Sequence, residues 1–266
     1  MLSYKTIIVS LLPVVILALL HFSSITRNDL TIYDTADWWN PNSSYAILKK
    51  MNAVRVPYFI KHMSSGQTVV DLGCGGGLVT EEIAKRHPST SVTGFDMSSK
   101  SIEVANDHGR NLPNLSYQVG SIYHLPLSNA SVDTVIVSDV FEHLDDLPKA
   151  LREIHRILKP EGIVVFDTIA KTWWSFLSTY FIAQEVLGIV ERGAHDWHMF
   201  INPEQLLTLL KDAGFNTTVS DWEGIVGHID LYASLRSGKL SDLISSFTSS
   251  TTDFRSSYMG YAVKTA

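Results

Sequence analysis

The chain has 266 residues, of which 45% are hydrophobic and 18% charged, and its net charge is −6. This length supports one sizeable domain with its own core and a shorter appendage. The negative charge and the absence of any Lys/Arg cluster argue against nucleic acid as a partner. Cys74 is the only cysteine, which excludes an intrachain disulfide and a cysteine-based zinc site.

The N-terminus contains an almost wholly apolar run, TIIVSLLPVVILALLHF, at residues 6–22. At 1.5 Å per residue, this run is near the lower length limit of a membrane-spanning helix. We therefore expect residues 1–30 to form an uncleaved single-pass membrane anchor, with the mitochondrial inner membrane and the endoplasmic reticulum as the alternatives. A cleaved signal peptide is the main rival interpretation, because its apolar region is only slightly shorter.

Short apolar segments alternate with segments of helical pattern from residue 66 onward. The predicted strands are QTVVDLG, SVTGFDM, LSYQVGS, SVDTVIVSDV and GIVVFDTI, and the helices between them include LVTEEIAKRHP and LPKALREIHRILKP. This alternation predicts βαβ units and a parallel sheet. We expect an α/β, doubly wound, mostly parallel Rossmann-like domain at 66–235, preceded by a helical cap at 31–65. The Ser/Thr-rich tail at 236–266 is expected to be a loop before a last strand, YMGYAV.

A glycine-rich segment, VVDLGCGGGL, joins the first predicted strand to the first helix and contains Asp71, Gly73 and Gly75. Glycines tolerate positive φ and let a ligand lie against the backbone. In a doubly wound sheet, nucleotide-like cofactors bind at this position. Asp96, which ends the second predicted strand, can accept hydrogen bonds from a ribose. A Gly-x-Gly-x-x-Gly dinucleotide pattern would need glycine where the chain has Leu78, so a reductase is disfavoured.

Residues 66–170 resemble class I S-adenosylmethionine-dependent methyltransferases. The resemblance lies in three segments in this order: the glycine loop, then LPLSNASVDTVIVSDVFEHL, then ALREIHRILKPEGIVVFD. The segments MNAVRVPYFI, SDVFEH and GAHDWHMFINPEQL narrow this resemblance to the O-methyltransferases of ubiquinone biosynthesis, which methylate polyprenyl catechols. The narrower resemblance covers residues 35–230. It implies an enzyme that transfers a methyl group from S-adenosylmethionine to a phenol or catechol hydroxyl. A prenylated, membrane-dissolved small molecule is the implied substrate.

The resemblance also implies which residues contact the cofactor. Carried over by position, these are Arg55, Gly73, Asp96 and Ser138, to which Asp71 and Gly75 are added as residues that shape the loop. A guanidinium such as that of Arg55 suits the methionine carboxylate because it can bind bidentately. An ordinary surface charge on a helix is the alternative interpretation of Arg55.

Three potential metal ligands follow the fourth predicted strand, namely Asp139, Glu142 and His143. Their spacing of i, i+3 and i+4 would place them on one face of a helix. Two carboxylates and one imidazole match a divalent site, and oxygen-rich ligands favour Mg²⁺. The family that the chain resembles has Glu-x-x-Glu-His here with a divalent metal, and this chain departs from it at Asp139. A structural role and metal-free chemistry stay open for these residues.

Methylation of a phenol requires its deprotonation, and two histidines are candidates for the base. His143 is the first, because the unperturbed pKa of histidine, about 6.5, is close to the working pH. His195, in GAHDWHMF, is the second, and a structural role is the alternative for it.

The apolar segment WWSFLSTYFIAQEVLGIV, at residues 173–190, has aromatic and aliphatic residues at helical spacing. It is either a core-facing helix or a lid that admits an apolar substrate. Two other functions stay open for the whole chain. One is an O-methyltransferase of specialised metabolism acting on another small phenolic, and the other is a non-catalytic methyltransferase-like binding subunit.

Overall fold

The computed structural model describes residues 28–265, without the side chain of Ser241. A nine-stranded sheet forms the centre of this part of the chain, in the order β3-β2-β1-β4-β5-β9-β7-β8, with β6 also paired to β9. The strands are β1 (Thr68–Leu72), β2 (Ser91–Asp96), β3 (Leu115–Val119), β4 (Val132–Ser138), β5 (Leu158–Ile169), β6 (Phe215–Asn216), β7 (Glu223–Ile229), β8 (Ile244–Ser250) and β9 (Ser257–Lys264).

Helices cover both faces of the sheet. They are α1 (Ala46–Lys61), α2 (Leu78–Arg86), α3 (Ser99–Gly109), α4 (Leu147–Ile157), α5 (the π-helix Phe176–Val186, after a single turn at Trp173–Ser175), α6 (Pro203–Asp212) and α7 (Leu231–Ser237). Short 3₁₀ turns lie at Leu30–Thr35, Phe141–His143, Trp197–Met199, Val219–Asp221 and Leu240–Asp242. The side chains of Ser98, Asp146 and Asn202 accept hydrogen bonds from the first backbone N–H groups of α3, α4 and α6. These caps fix where the three helices begin.

The first five strands form the parallel half of the sheet and confirm the predicted Rossmann-like fold. β1 pairs with β2 on one side and with β4 on the other, all in parallel register, and β4 pairs with β5. The order of strands therefore reverses between β1 and β4. The crevice outside the carboxyl ends of these two strands is where ligands bind in open α/β sheets.

The second half of the sheet is antiparallel and differs from the expectation for the C-terminal tail. The stretch at 244–257, expected to be a loop, contains β8, which pairs with β7 over most of its length. The predicted last strand is β9, and it lies between β5 and β7 rather than at an edge. The expected domain boundary at residue 236 would separate β8 and β9 from the strands with which they pair. Sequence reasoning missed β8 because only Ile244 and Phe247 in it are large and apolar.

The predicted localisation, a membrane protein with a single-pass anchor, is corrected. The apolar run at 6–22 lies outside the described residues. Among residues 28–265, no helix combines the length and the apolar character needed to cross a bilayer. The longest, α1, has 16 residues, which at 1.5 Å per residue is about 24 Å, short of the ~30 Å hydrocarbon core.

Replacing Gly260 in β9 tests how tightly this strand is packed. A Cβ atom there would lie 2.6 Å from Phe166 and 2.7 Å from the indole of Trp222. We expect Gly260→Ala to lower the free energy of unfolding by about 1–3 kcal/mol, because overpacking a filled core costs that much. Urea denaturation measures it. The control is Ser249→Ala on exposed β8, expected to stay within about 0.5 kcal/mol of the parent protein; equal effects would contradict the prediction.

Candidate active site

A cavity of about 800 Å³ opens at the carboxyl ends of β1 and β4. Its wall includes the glycine loop, Asp96, Ser138, His143 and His195. Small-molecule sites in proteins have volumes of about 300–1,000 Å³. The cavity therefore has room for a nucleoside cofactor and part of a second ligand, and it brings the predicted cofactor residues and the predicted chemical residues to one place.

The glycine loop has the conformation that its sequence predicts. Gly73 and Gly75 have φ values of 72° and 52°, in the left-handed region that side chains other than glycine rarely adopt. A Cβ atom at Gly75 would lie 2.5 Å from the indole of Trp38. The backbone N–H groups of Gly73 and Cys74 donate to the carbonyl oxygen of Phe95 at 2.7 and 3.0 Å. The loop is thus held against the end of β2, close to Asp96.

Asp96 connects the glycine loop to the start of α3. Its Oδ2 accepts from the backbone N–H of Gly75 at 2.8 Å, and its Oδ1 accepts from the N–H of Ser98 at 2.8 Å. Burial raises the pKa of this carboxyl group. A carboxylate has about four lone-pair sites, so capacity is left over for the hydroxyls of a ribose.

Asp71 lies beneath the loop and has a structural contact. Its carboxylate accepts from the hydroxyl of Thr80 at 2.6 Å, which joins the end of β1 to α2. Burial raises the pKa of Asp71 to about 6, and the hydrogen bond from Thr80 opposes this shift. The geometry agrees with the expected role of Asp71 as a residue that shapes the loop.

Arg55, on α1, is buried and makes ion pairs with two carboxylates at the ends of neighbouring strands. Its Nη1 donates to Asp139 and, at 3.3 Å, to Asp167. Its Nε donates to Asn52 Oδ1 at 2.8 Å, and Nη2 donates to the carbonyl oxygen of Leu48 at 3.2 Å. The surface-charge interpretation of Arg55 is therefore wrong. Most of its donors are engaged, although the residue also borders the cavity.

Asp167 is the partner of Arg55 that sequence analysis did not identify. It is completely buried at the end of β5, and Ser138 donates its hydroxyl to Asp167 Oδ1 at 2.5 Å. Burial, and then the charge of Asp139, raise the pKa of Asp167 to about 8, while Arg55 opposes this. An isolated acid in GIVVFDTI gave the only sequence signal for this residue.

Asp139 does not lie where the predicted metal site requires it. Its φ is 52°, a left-handed conformation, and its side chain is directed to Arg55. The helix expected to start here is a single 3₁₀ turn beginning at Phe141, so the common face of positions 139, 142 and 143 does not form. The three side chains that converge instead are those of Glu142, His143 and His195, with their ligand atoms within 4.8 Å of one another.

Glu142 is 1% exposed. Its Oε2 accepts from the hydroxyl of Thr168 at 2.6 Å, while no described residue forms a hydrogen bond with Oε1. Burial, and then the charge of Asp139, raise the pKa of Glu142 well above its usual value.

His143 has partners at both ring nitrogens. Its Nδ1 is 2.7 Å from Oδ1 of Asn28, whose Nδ2 donates to the carbonyl oxygen of His143 at 3.2 Å. The Asn28 nitrogen is the donor in this second bond, so the Asn28 oxygen must accept a proton from Nδ1 of His143. Nδ1 therefore bears the proton, and Nε2 accepts from the hydroxyl of Tyr33 at 3.3 Å. Burial lowers the pKa of His143 to about 3, and His195 adds to this effect.

His195 has one engaged nitrogen. Its Nδ1 is 3.1 Å from Oε1 of Gln184, whose Nε2 donates to Glu185 at 2.8 Å. The orientation of the amide assigns the proton to Nδ1, and within residues 28–265 no hydrogen bond is found to Nε2. Burial lowers the pKa of His195 to about 4, so the imidazole is neutral near pH 7 and its Nε2 lone pair is available.

Comparisons with known proteins agree with this geometry. The methyltransferase domain family matches residues 70–166. The ubiquinone biosynthesis O-methyltransferase of Neisseria meningitidis is 32% identical over 196 residues, which cover 72% of this chain and 81% of the relative. The enzyme of the same name from Coxiella burnetii is 33% identical over 180 residues, covering 67% of this chain and 76% of the relative. The chain belongs to the ubiquinone biosynthesis O-methyltransferase family.

The family membership establishes an enzyme, an S-adenosylmethionine-dependent O-methyltransferase, and so excludes the non-catalytic binding subunit. A solved structure of an S-adenosylmethionine-dependent methyltransferase from Thermotoga maritima has the same fold. Its TM-score is 0.58 at 17% identity, and the match covers 88% of this chain and 96% of that one. We propose that the cofactor binds at the end of the cavity bounded by the glycine loop and Asp96.

Replacing Asp96 tests the assigned cofactor end. We expect Asp96→Ala to weaken S-adenosylmethionine binding by about 10- to 100-fold, the scale of a lost hydrogen bond to a charged group. Isothermal titration calorimetry measures the Kd. The matched control is Asp107→Ala, which removes the same charge from the exposed side of α3 and should leave the Kd within twofold. Unchanged binding in Asp96→Ala would contradict the assignment.

Proposed function

We propose that this enzyme methylates a hydroxyl group of a polyprenylated catechol, a quinone precursor. The observation that carries the proposal is the division of the cavity into two chemically different parts. The cofactor end is polar and bounded by carboxylates and glycines, whereas the opposite part is bounded by aliphatic and aromatic side chains. The names of the relatives support the same substrate class.

The apolar part of the cavity lies between α1, α5 and the β7–β8 hairpin. The side chains that line it share an aliphatic or aromatic character, and they include Leu48, Met51, Ile182, Ala183, Leu187, Ile225, Ile244 and Phe247. An apolar tail bound here gains about 25 cal/mol per Å² of buried surface. This chamber suits a hydrocarbon tail better than a small, fully polar phenolic, which favours the prenylated substrate over one from specialised metabolism.

Helix α5 combines the two interpretations that the sequence left open. Phe176 and Tyr180 pack into a small core with Phe200. Trp174 and Ile182, in contrast, border the cavity and are 50% and 39% exposed. One face of the helix thus supports the fold, and another forms an apolar rim along which a hydrocarbon tail can enter.

We propose that His195 removes the proton from the acceptor hydroxyl. Its Nε2 takes the proton, the hydroxyl oxygen forms a bond to the methyl carbon, and the bond from that carbon to sulfur breaks. The products are the methyl ether and S-adenosylhomocysteine, and the proton passes from His195 to solvent. The neutral imidazole with a proton on Nδ1 has the tautomer that this step requires. Gln184 holds that tautomer.

A divalent cation fits this site with a ligand set different from the predicted one. Glu142, His143 and His195 would hold it, and Glu142 Oε1 offers a buried oxygen with no hydrogen bond from the described residues. Two imidazoles and one carboxylate suit Zn²⁺, Mn²⁺ or Fe²⁺ better than Mg²⁺. Such an ion would act as a Lewis acid and stabilise the phenolate.

Blocking the apolar chamber tests the substrate class. We expect Ala183→Phe to raise the KM for a prenylated catechol by about tenfold or more, because the new ring occupies space for apolar carbons. The KM for catechol itself should change less than twofold, since catechol has no tail. Val186→Phe, which adds the same ring at a position 56% exposed, is the matched control. Equal increases for both acceptors would contradict the proposed tail site.

Replacing His195 tests the proposed base. We expect His195→Ala to lower kcat by about 10²- to 10⁴-fold, the usual contribution of a general base, while the Kd for S-adenosylmethionine stays within threefold. His198→Ala, three residues away and outside this cavity, is the control. The assays are repeated after treatment with EDTA, with metal content measured in parallel. If EDTA alone lowers kcat to the level of His195→Ala, His195 acts as a metal ligand rather than as the base.

A further inference from the structure

Residues 28–39 form a segment, here called the strap, that crosses the cofactor end of the cavity. The proposed roles of the glycine loop and of the strand ends assign no function to it. We propose that Tyr33 is a positioning residue, whose hydroxyl bonds to His143 and thereby closes the strap over bound S-adenosylmethionine. The proposal rests on the established cofactor and is independent of which acceptor the enzyme methylates.

At the reaction end of the cavity, the strap is attached to His143 and, through the backbone N–H of Asp29, to the carbonyl oxygen of Gly193 at 2.9 Å. The hydroxyl of Tyr33 donates to Nε2 at 3.3 Å, and Asn28 is bonded both to Nδ1 and to the carbonyl oxygen. The ring of Tyr33 stands edge-on to the imidazole, with 5.9 Å between centroids. Burial raises the pKa of Tyr33, so the hydroxyl remains protonated and can act as the donor.

At the cofactor end, the strap is attached to the first turn of α3, directly after Asp96. Ser101 donates its hydroxyl to the carbonyl oxygen of Tyr33 at 2.9 Å, and Ser98 donates to Asp34 Oδ1 at 2.6 Å. The indole N–H of Trp38 donates to Ser101 Oγ at 3.1 Å. The indole ring of Trp38 covers Gly75.

The strap therefore bridges the ribose end of the cofactor site and the residues that perform the chemistry. Its 3₁₀ turn, Leu30–Thr35, has no buried residue. The ring of Tyr33 packs against the aromatic cluster of Trp38 and Tyr45, and polar contacts hold the rest of the turn in place. Segments with few buried contacts open at low free energy, and lids of this kind commonly control product release. Breaking the Tyr33–His143 bond should loosen the reaction end of the strap, where Asn28 and Asp29 keep their hydrogen bonds, while the cofactor end stays fully attached.

The variant Tyr33→Phe removes the hydroxyl and keeps the ring, which stacks on Trp38 with 5.8 Å between centroids. We expect the dissociation rate of S-adenosylhomocysteine to rise about three- to tenfold, the scale of one neutral hydrogen bond. Stopped-flow fluorescence of the strap tryptophans measures this rate. EDTA is included so that no cation competes for His143 Nε2. Tyr45→Phe removes a hydroxyl from the same aromatic cluster and should leave the rate within twofold.

A double-mutant cycle with His143→Ala distinguishes positioning from a general loss of stability. If Tyr33 acts through His143, Tyr33→Phe should have no further effect on the dissociation rate once His143 is absent. Two results overturn the proposal. One is an unchanged dissociation rate in Tyr33→Phe, and the other is an increase of the same size in the presence and absence of His143. Both readouts use product binding, so they stand even if the proposed acceptor is wrong.

Discussion

The buried ion-pair cluster of Arg55 with Asp139 and Asp167 is the constraint on which the site depends. It joins α1 to the ends of β4 and β5, three elements far apart in the chain. The guanidinium of Arg55 is buried and needs acidic partners, because an unpaired buried charge costs several kcal/mol. Asp139 and Asp167 are these partners, so α1 is fixed over the end of the sheet and the cavity forms beneath it.

This cluster also fixes the position of the Asp139 side chain. Asp139 is bound to Arg55, and its carboxylate is not among the ligand atoms that converge at Glu142 and His143. His195 fills the place next to them, with its ring stacked on that of His143 at 5.2 Å between centroids. The converging group therefore combines Glu142 and His143 from one segment with His195 from another, and does not consist of the contiguous 139–143 motif.

The antiparallel half of the sheet provides apolar side chains to the wall of the cavity. β9 lies between β5 and β7, which moves the β7–β8 hairpin to the side of the parallel strands. The hairpin then brings Ile225 and Phe247 to the cavity, opposite α5. The parallel half supplies polar strand ends for the cofactor, and the antiparallel half supplies the apolar wall. The strap from residue 28 to 39 lines the end bounded by the glycine loop and Asp96.

The sequence by itself determined the parallel half of the fold and the glycine loop at which we propose that the cofactor binds. These features depend on the spacing of residues that are close in the chain. The alternation of strands and helices, and the glycine loop followed by Asp96, can therefore be recognised from the sequence directly. Tertiary structure alone decided the rest. Three features show this: the partner of Arg55, the presence of His195 beside His143 in place of Asp139, and the contact of Tyr33 with His143. They join residues 52 to 112 positions apart in the chain. No local pattern encodes such contacts, because burial and the balance of charge select them only after the elements have packed.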